Sequence, residues 1–177
     1  MPDILAGLRE KLRAEVPSWT QQALHGFELA LFNCGSINFK VDFSGSPKIT
    51  SIVFNLHAMK GGRLYKDFLG KYLKDGSKEC TLAFHGTPGE NMDSLQRNGM
   101  NPILRGTANG QFVGSGDYFS PASEVSLTYN GYSRDFPRQV LVFVLIKSYI
   151  TYWKGRVIVS QGGHIPIAVL TFEQFAT

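Results

Sequence analysis

TLAFHGTPGENMDSLQRNGM, residues 81–100, is the stretch on which the reading of this chain turns. A short apolar run, Leu82-Ala83-Phe84, leads into His85-Gly86-Thr87 and then turns at Pro88-Gly89. The residues behind the turn have helical character over 90–98 and meet a stop signal at Gly99. A strand ending on histidine, glycine and threonine either packs a structural histidine or offers polar groups to a ligand. The rest of the chain has to decide between the two.

Working outward, INFKVDF (37–43) alternates with period two, and KITSIVFNLHA (48–58) reads as a second strand pairing with it as a hairpin. Leu64, Phe68 and Leu69 mark a short amphipathic helix that runs out before Asp75-Gly76. On the other side lie a Gly-rich segment, RGTANGQFVGSGDYFS (105–120), and a helix expected over 122–129. The run QVLVFVLI (139–146) is apolar on both faces, which predicts a central strand. RVIVS (156–160) and IPIAVLTF (165–172) make the second half rich in strands. Strands outnumber helices and many lack a helix between them, so a doubly wound parallel sheet is not expected. A helix over 3–15, capped by Asp3 and closed by Pro17, and an apolar stretch over 19–32 precede all this.

The 177 residues, 43% hydrophobic and 18% charged, predict one globular α+β domain over 1–177. The net charge is +4, and the basic residues are scattered without a dense cluster, which suits a dinucleotide as well as a nucleic acid. Cys34 and Cys80 match neither a disulfide framework nor a zinc site, so no metal is implied. No run approaches the roughly 20 apolar residues that cross a bilayer. The expected setting is therefore intracellular, cytoplasmic or nuclear, with no membrane; an exported effector is the alternative. His164 follows Gly162-Gly163 and is expected as an exposed loop histidine, and Cys80 as a packed thiol.

FHGT, RNGM, GSGDYFS, SLTY and GGHIPIAVLTF occur in this order along the chain. That series resembles the catalytic domain of the poly(ADP-ribose) polymerase family, within the diphtheria-toxin-like ADP-ribosyltransferases. The match is close over about residues 80–130 and looser in the last strand. The resemblance implies an ADP-ribosyltransferase fold: two packed, mainly antiparallel sheets around an NAD cleft, with flanking helices. It implies NAD as co-substrate and no metal. Gly86 would bind the nicotinamide carboxamide through its backbone, with Ser126 adding a hydrogen bond and Tyr129 stacking on the ring. His85 and Thr87 would contact ribose, Tyr118 would wall the other side, and Arg105 would reach the pyrophosphate or adenine. Where polymerising relatives carry a glutamate, this chain has Ile167. The chain is similar in this to the His-Tyr-Ile subgroup, here His85, Tyr118 and Ile167, whose members transfer a single ADP-ribose.

The resemblance thus implies an NAD-dependent mono-ADP-ribosyltransferase that releases nicotinamide and modifies a protein, or alternatively a nucleic-acid, acceptor. The competing reading is a weak or inactive module that binds NAD or ADP-ribose or serves as an interaction surface. The segment 130–138 is a candidate acceptor-facing loop.

Overall fold

The computed structural model describes residues 48–58, 62–77, 79–105, 113–129 and 137–173. The helix expected over 3–15, the stretch 19–32, the strand over 37–43 and most of the loop 130–138 lie outside these residues. The elements are β1 (Lys48–Phe54), α1 (Arg63–Lys74), β2 (Cys80–Gly86), α2 (Gly89–Asn98), β3 (Asp117–Phe119) and α3 (Ser123–Leu127). They are followed by β4 (Arg138–Ile146), β5 (Ile150–Lys154), β6 (Val157–Ser160) and β7 (His164–Glu173).

The strands form a four-stranded sheet of order β1-β7-β4-β2 and a three-stranded sheet of order β3-β6-β5. Every pairing is antiparallel, so the class is α+β with two small antiparallel sheets. β4 sits inside the larger sheet, as its two apolar faces require. Val140 and Val142 join Leu82, Phe84, Leu64 of α1 and Leu127 of α3 on one face. Leu141, Phe143 and Leu145 join Met92 of α2, Phe119 and Ile158 on the other, so that face is closed by α2 and the second sheet.

β7 is an interior strand that contains a proline, and the fold accommodates it with a bulge. Val142 lies opposite Ala168 and Phe143 opposite Pro166, leaving Ile167 as the extra residue. Pro166 has no N–H to donate to a ladder, which confines it to such a site. Asn55 buttresses the bulge: its Nδ2 donates to the Pro166 carbonyl at 2.8 Å and to the Gln96 carbonyl at 2.9 Å. Its backbone N–H donates to the Ile167 carbonyl at 2.8 Å. These bonds turn the chain, so the strand expected over 48–58 stops at Phe54 and a short 3-10 turn, Leu56–Ala58, follows. β1 pairs with β7, Lys48 opposite Glu173, while its expected hairpin partner lies outside the described residues.

α1 buries Leu64 and Tyr72, with Phe68 partly buried between them, a four-residue spacing that lines one helical face. α2 ends at Gly99, whose N–H still bonds the Leu95 carbonyl at 2.9 Å and whose φ of +71° turns the chain out of the helix. β5 was not expected from the sequence. It is an edge strand rich in β-branched and aromatic residues, and of these only Ile150 packs on the core.

Candidate functional site

The His-Gly-Thr segment ends an edge strand, and the hydrogen bonding of β2 shows which way its backbone faces. The Phe84 N–H donates to the Ser120 carbonyl at 2.8 Å, and the Phe84 carbonyl accepts from the Ser120 N–H at 2.9 Å. In an antiparallel strand the N–H and C=O of one residue point to the same edge, and successive residues alternate. Phe84 therefore faces away from β4, His85 faces β4 opposite Leu141, and Gly86 faces outward again. The register of the Phe84–Ser120 bridge would set Gly86 opposite Tyr118, but the bridge is isolated and the pairing goes no further. Among the described residues, no backbone group closes the outward N–H and C=O of Gly86.

Beside this edge, α3 packs on β2 through Leu127, which shares a cluster with Phe84. The helix is shorter than the expected 122–129, ending at Leu127 with a turn over Thr128 and Tyr129. Ser126 is buried, whereas Tyr129 is 56% exposed. The Tyr129 N–H donates to the Ser126 carbonyl at 3.2 Å, so the two residues stand one turn apart. Thr87 is buried directly after Gly86. Ile167 is buried in the same apolar cluster as Phe84 and Leu127.

His85 lies on the opposite face of β2. Its Nδ1 is 2.9 Å from the Tyr118 carbonyl. A carbonyl can only accept, so Nδ1 carries the proton and the neutral ring has an acceptor at Nε2. Burial lowers the His85 pKa, opposed by the bond to the Tyr118 carbonyl and the nearby Asp117 charge. The ring meets Phe119 and Phe143 edge-on at 5.9 and 6.1 Å. Tyr118 turns its hydroxyl toward the Gly-rich turn, donating to the Gly114 carbonyl at 2.7 Å and accepting from the Val113 N–H at 3.2 Å. Gly116 ends that turn: a Cβ there would come within 2.5 Å of Val159 Cγ1 and 3.0 Å of the Ser160 carbonyl.

Next to Tyr118 stands a polar centre that the sequence did not suggest. Asp117, 5% exposed, accepts from Arg105 Nε at 3.0 Å and Nη2 at 2.6 Å, and from His164 Nε2 at 2.8 Å. Burial raises its pKa, but the hydrogen bonds and charges of His164 and Arg105 outweigh that and bring it down to about 2. Arg105, expected near a phosphate, thus has its guanidinium forked onto a carboxylate, with Nη1 on Gln161 Oε1 at 3.2 Å. His164 is not an exposed loop residue. It begins β7 with its side chain 9% exposed, because an ionised acceptor awaits it across the sheet interface. The only sequence signal for this set was three polar residues flanking Gly-rich turns, a pattern too common to single them out.

The structure therefore places Gly86 and Thr87 at the end of β2, His85 with the Tyr118 carbonyl on one face of that strand, and α3, which carries Ser126, on the other. It places Ile167 on the apolar side of the sheet and Arg105 in an ion pair. Cys80 has a thiol pKa pushed up to about 12 by burial and by Asp75, partly offset by Lys147, which makes it a poor nucleophile at neutral pH. Among the described residues there is no cluster of three or more His, Cys, Asp or Glu that could hold a metal ion. Nor is any of their helices long and apolar enough to cross a membrane. No family model matches the chain, and no curated protein matches it.

Proposed function

We propose that this protein is an NAD-dependent mono-ADP-ribosyltransferase, the reading that its motif order suggests. The observation that carries the proposal is the outward N–H and C=O of Gly86 on a β-edge, beside a helix bearing Ser126 and, one turn later, an exposed Tyr129. A primary carboxamide needs one donor and one acceptor on adjacent positions, and an edge residue without a side chain supplies both at close range. Ser126 adds a hydroxyl, and Tyr129 offers a ring face for stacking.

Bound NAD would supply an anomeric carbon whose bond to nicotinamide breaks with the electron pair leaving on the ring nitrogen. The residues of this chain would orient that bond. Gly86 and Ser126 hold the carboxamide, Tyr129 covers the ring, and His85 Nε2 accepts a ribose hydroxyl proton in a hydrogen bond. Such fixed positioning removes orientational entropy from the barrier. The acceptor's nucleophile then bonds to the anomeric carbon and gives up its proton to a base of its own or to water. Ile167 brings no carboxylate to activate a further ribose hydroxyl, so transfer stops after one unit.

Mass spectrometry after incubation with NAD tests the proposal: one added ADP-ribose on the protein or a supplied acceptor, with free nicotinamide, is the expected result. His85→Ala and Tyr118→Ala should abolish it. The apolar setting of Ile167 favours a second reading, a binding module without turnover. Calorimetric binding of nicotinamide with no product would select that reading, and binding of neither nicotinamide nor NAD would overturn both.

A further inference from the structure

We propose that Asp117 is a positioning residue: clamped between Arg105 and His164, it holds β3 so that the Tyr118 carbonyl keeps the His85 proton on Nδ1. His85 Nε2 is thereby left as an acceptor for a ribose hydroxyl. This rests on the NAD-binding reading above and deepens it, since it names the group that sets the hydrogen-bonding state of His85.

β3 is three residues long and buries Phe119 in the core between the sheets. Among the described residues its ladder partner is β6, and its chain meets β2 through the Phe84–Ser120 bridge. Asp117 ties it to two further elements. Arg105, just after the 3-10 turn Pro102–Leu104, grips both carboxylate oxygens, and His164, the first residue of β7, reaches across from the larger sheet. Arg105 is itself steadied by Gln161, whose Nε2 donates to the Ser115 carbonyl beside the same strand. The two histidines flank one pair of rings: His164 lies 5.5 Å from Phe119 and 5.8 Å from Phe143, and His85 lies 5.9 and 6.1 Å from them. A shift of β3 at Asp117 is therefore felt at the Tyr118 carbonyl and at the His85 ring together.

An amide in place of the carboxylate accepts through one oxygen only and turns an NH2 toward a donor. Asp117→Asn keeps the shape of the side chain and loses that clamp. Freed from the Tyr118 carbonyl, His85 returns toward the Nε2–H tautomer that imidazole favours in water, and that nitrogen can no longer accept. Nicotinamide alone is held by Gly86, Ser126 and Tyr129, so its binding does not depend on His85. The positioning role thus has a signature that simple loss of stability would not give: NAD and nicotinamide affinities separate.

The test is imidazole nitrogen-15 NMR on the whole chain, with calorimetry using NAD and nicotinamide in turn. In the wild type His85 should show protonated Nδ1 and bare Nε2. In Asp117→Asn the His85 signals should move toward the opposite tautomer, NAD affinity should fall about tenfold, and nicotinamide affinity should stay within about twofold. Unchanged His85 signals with unchanged NAD affinity would overturn the proposal, as would an equal loss of both ligands in a folded variant. If Asp117→Asn fails to fold, His164→Gln, which keeps a donor for Asp117, should preserve the His85 signals, whereas His164→Leu should shift them. Identical spectra from those two would also overturn it. A wild type that binds neither NAD nor nicotinamide would refute the parent reading, while the tautomer measurement would still decide what Asp117 does to His85.

Discussion

On one face of β2, Leu82 and Phe84 meet Leu64 of α1, Leu127 of α3 and Ile167 of β7 in a cluster of apolar side chains. On the other, Ala83 shares a cluster with Phe119 and Phe143, and His85 lies edge-on to the same two rings. His164, bonded to Asp117, closes that group. The first face is held by burial, which has no direction and tolerates exchange among residues of similar volume. The second face adds to its apolar cluster the bonds of His85 and His164, which fail when one partner changes charge or angle. A site needs both, because the apolar face keeps β2 rigid while the polar face sets which atoms it presents.

The largest effect is expected at Phe143, which belongs to the ring cluster and lies against both histidines. Phe143→Ala should lower unfolding free energy by about 3–5 kcal/mol, read by urea denaturation, since the fully buried ring leaves a cavity between the sheets. A smaller loss, below about 1 kcal/mol, would mean the sheets close over the gap.

Ile167→Glu probes the apolar face. Its carboxyl would enter the cluster that holds Phe84 and Leu127, and stability should fall by about 3 kcal/mol, more steeply as the pH rises and the group is forced to ionise. Mass spectrometry should show no growing chain of ADP-ribose on this variant. A fully stable, chain-forming variant would show that position 167 opens toward the Gly86 edge.

Acid sharpens the contrast further. The Asp117 pKa is about 2 in the fold against an ordinary 3.8, because the bonds and charges of His164 and Arg105 outweigh the desolvation that raises it. The folded value lies below the unfolded one, so its contribution is complete above about pH 4 and disappears as the pH falls toward 2, on the order of 2 kcal/mol. His85 acts in the same sense: burial lowers its pKa, so stability declines as the pH falls below the ordinary 6.5. Asp117→Asn should remove the Asp117 contribution to the limb between about pH 4 and 2 in a stability titration.

Tyr129→Ala should have the smallest effect on the fold, within about 0.5 kcal/mol, because the ring is already 56% exposed. It should weaken nicotinamide binding roughly three- to tenfold, the worth of one stacking contact. Loss of stability without loss of binding would move Tyr129 out of the site.

Legibility in the sequence followed the same division. β4 could be recognised as an interior strand from seven successive apolar residues, Val140 to Ile146, and α2 from its glycine stop. The strand ending at His85-Gly86 was legible too, as was the helical setting of Ser126, whereas the helix stops before Tyr129. The short 3-10 turn after β1 was not, because Asn55 finds its partners on Gln96 and Pro166, which only the folded chain brings near. β5 was missed because its five residues show little alternation of apolar and polar side chains, and pairing with β6 fixes it as a strand. His164 was expected to be exposed and Arg105 to reach a pyrophosphate or adenine, and one fact overturns both: their common partner, Asp117, is far from one in the chain and twelve residues from the other.

The amino-acid sequence by itself determined the α+β class, the central apolar strand and the order of polar motifs, because periodicity and turn residues act over a few neighbours. Tertiary structure alone decided which edge of β2 faces outward, that Ile167 sits at a bulge, and that Asp117 gathers Arg105 and His164. Those outcomes depend on hydrogen bonds and ion pairs between distant residues, whose strength depends on distance, angle and burial that no local pattern encodes.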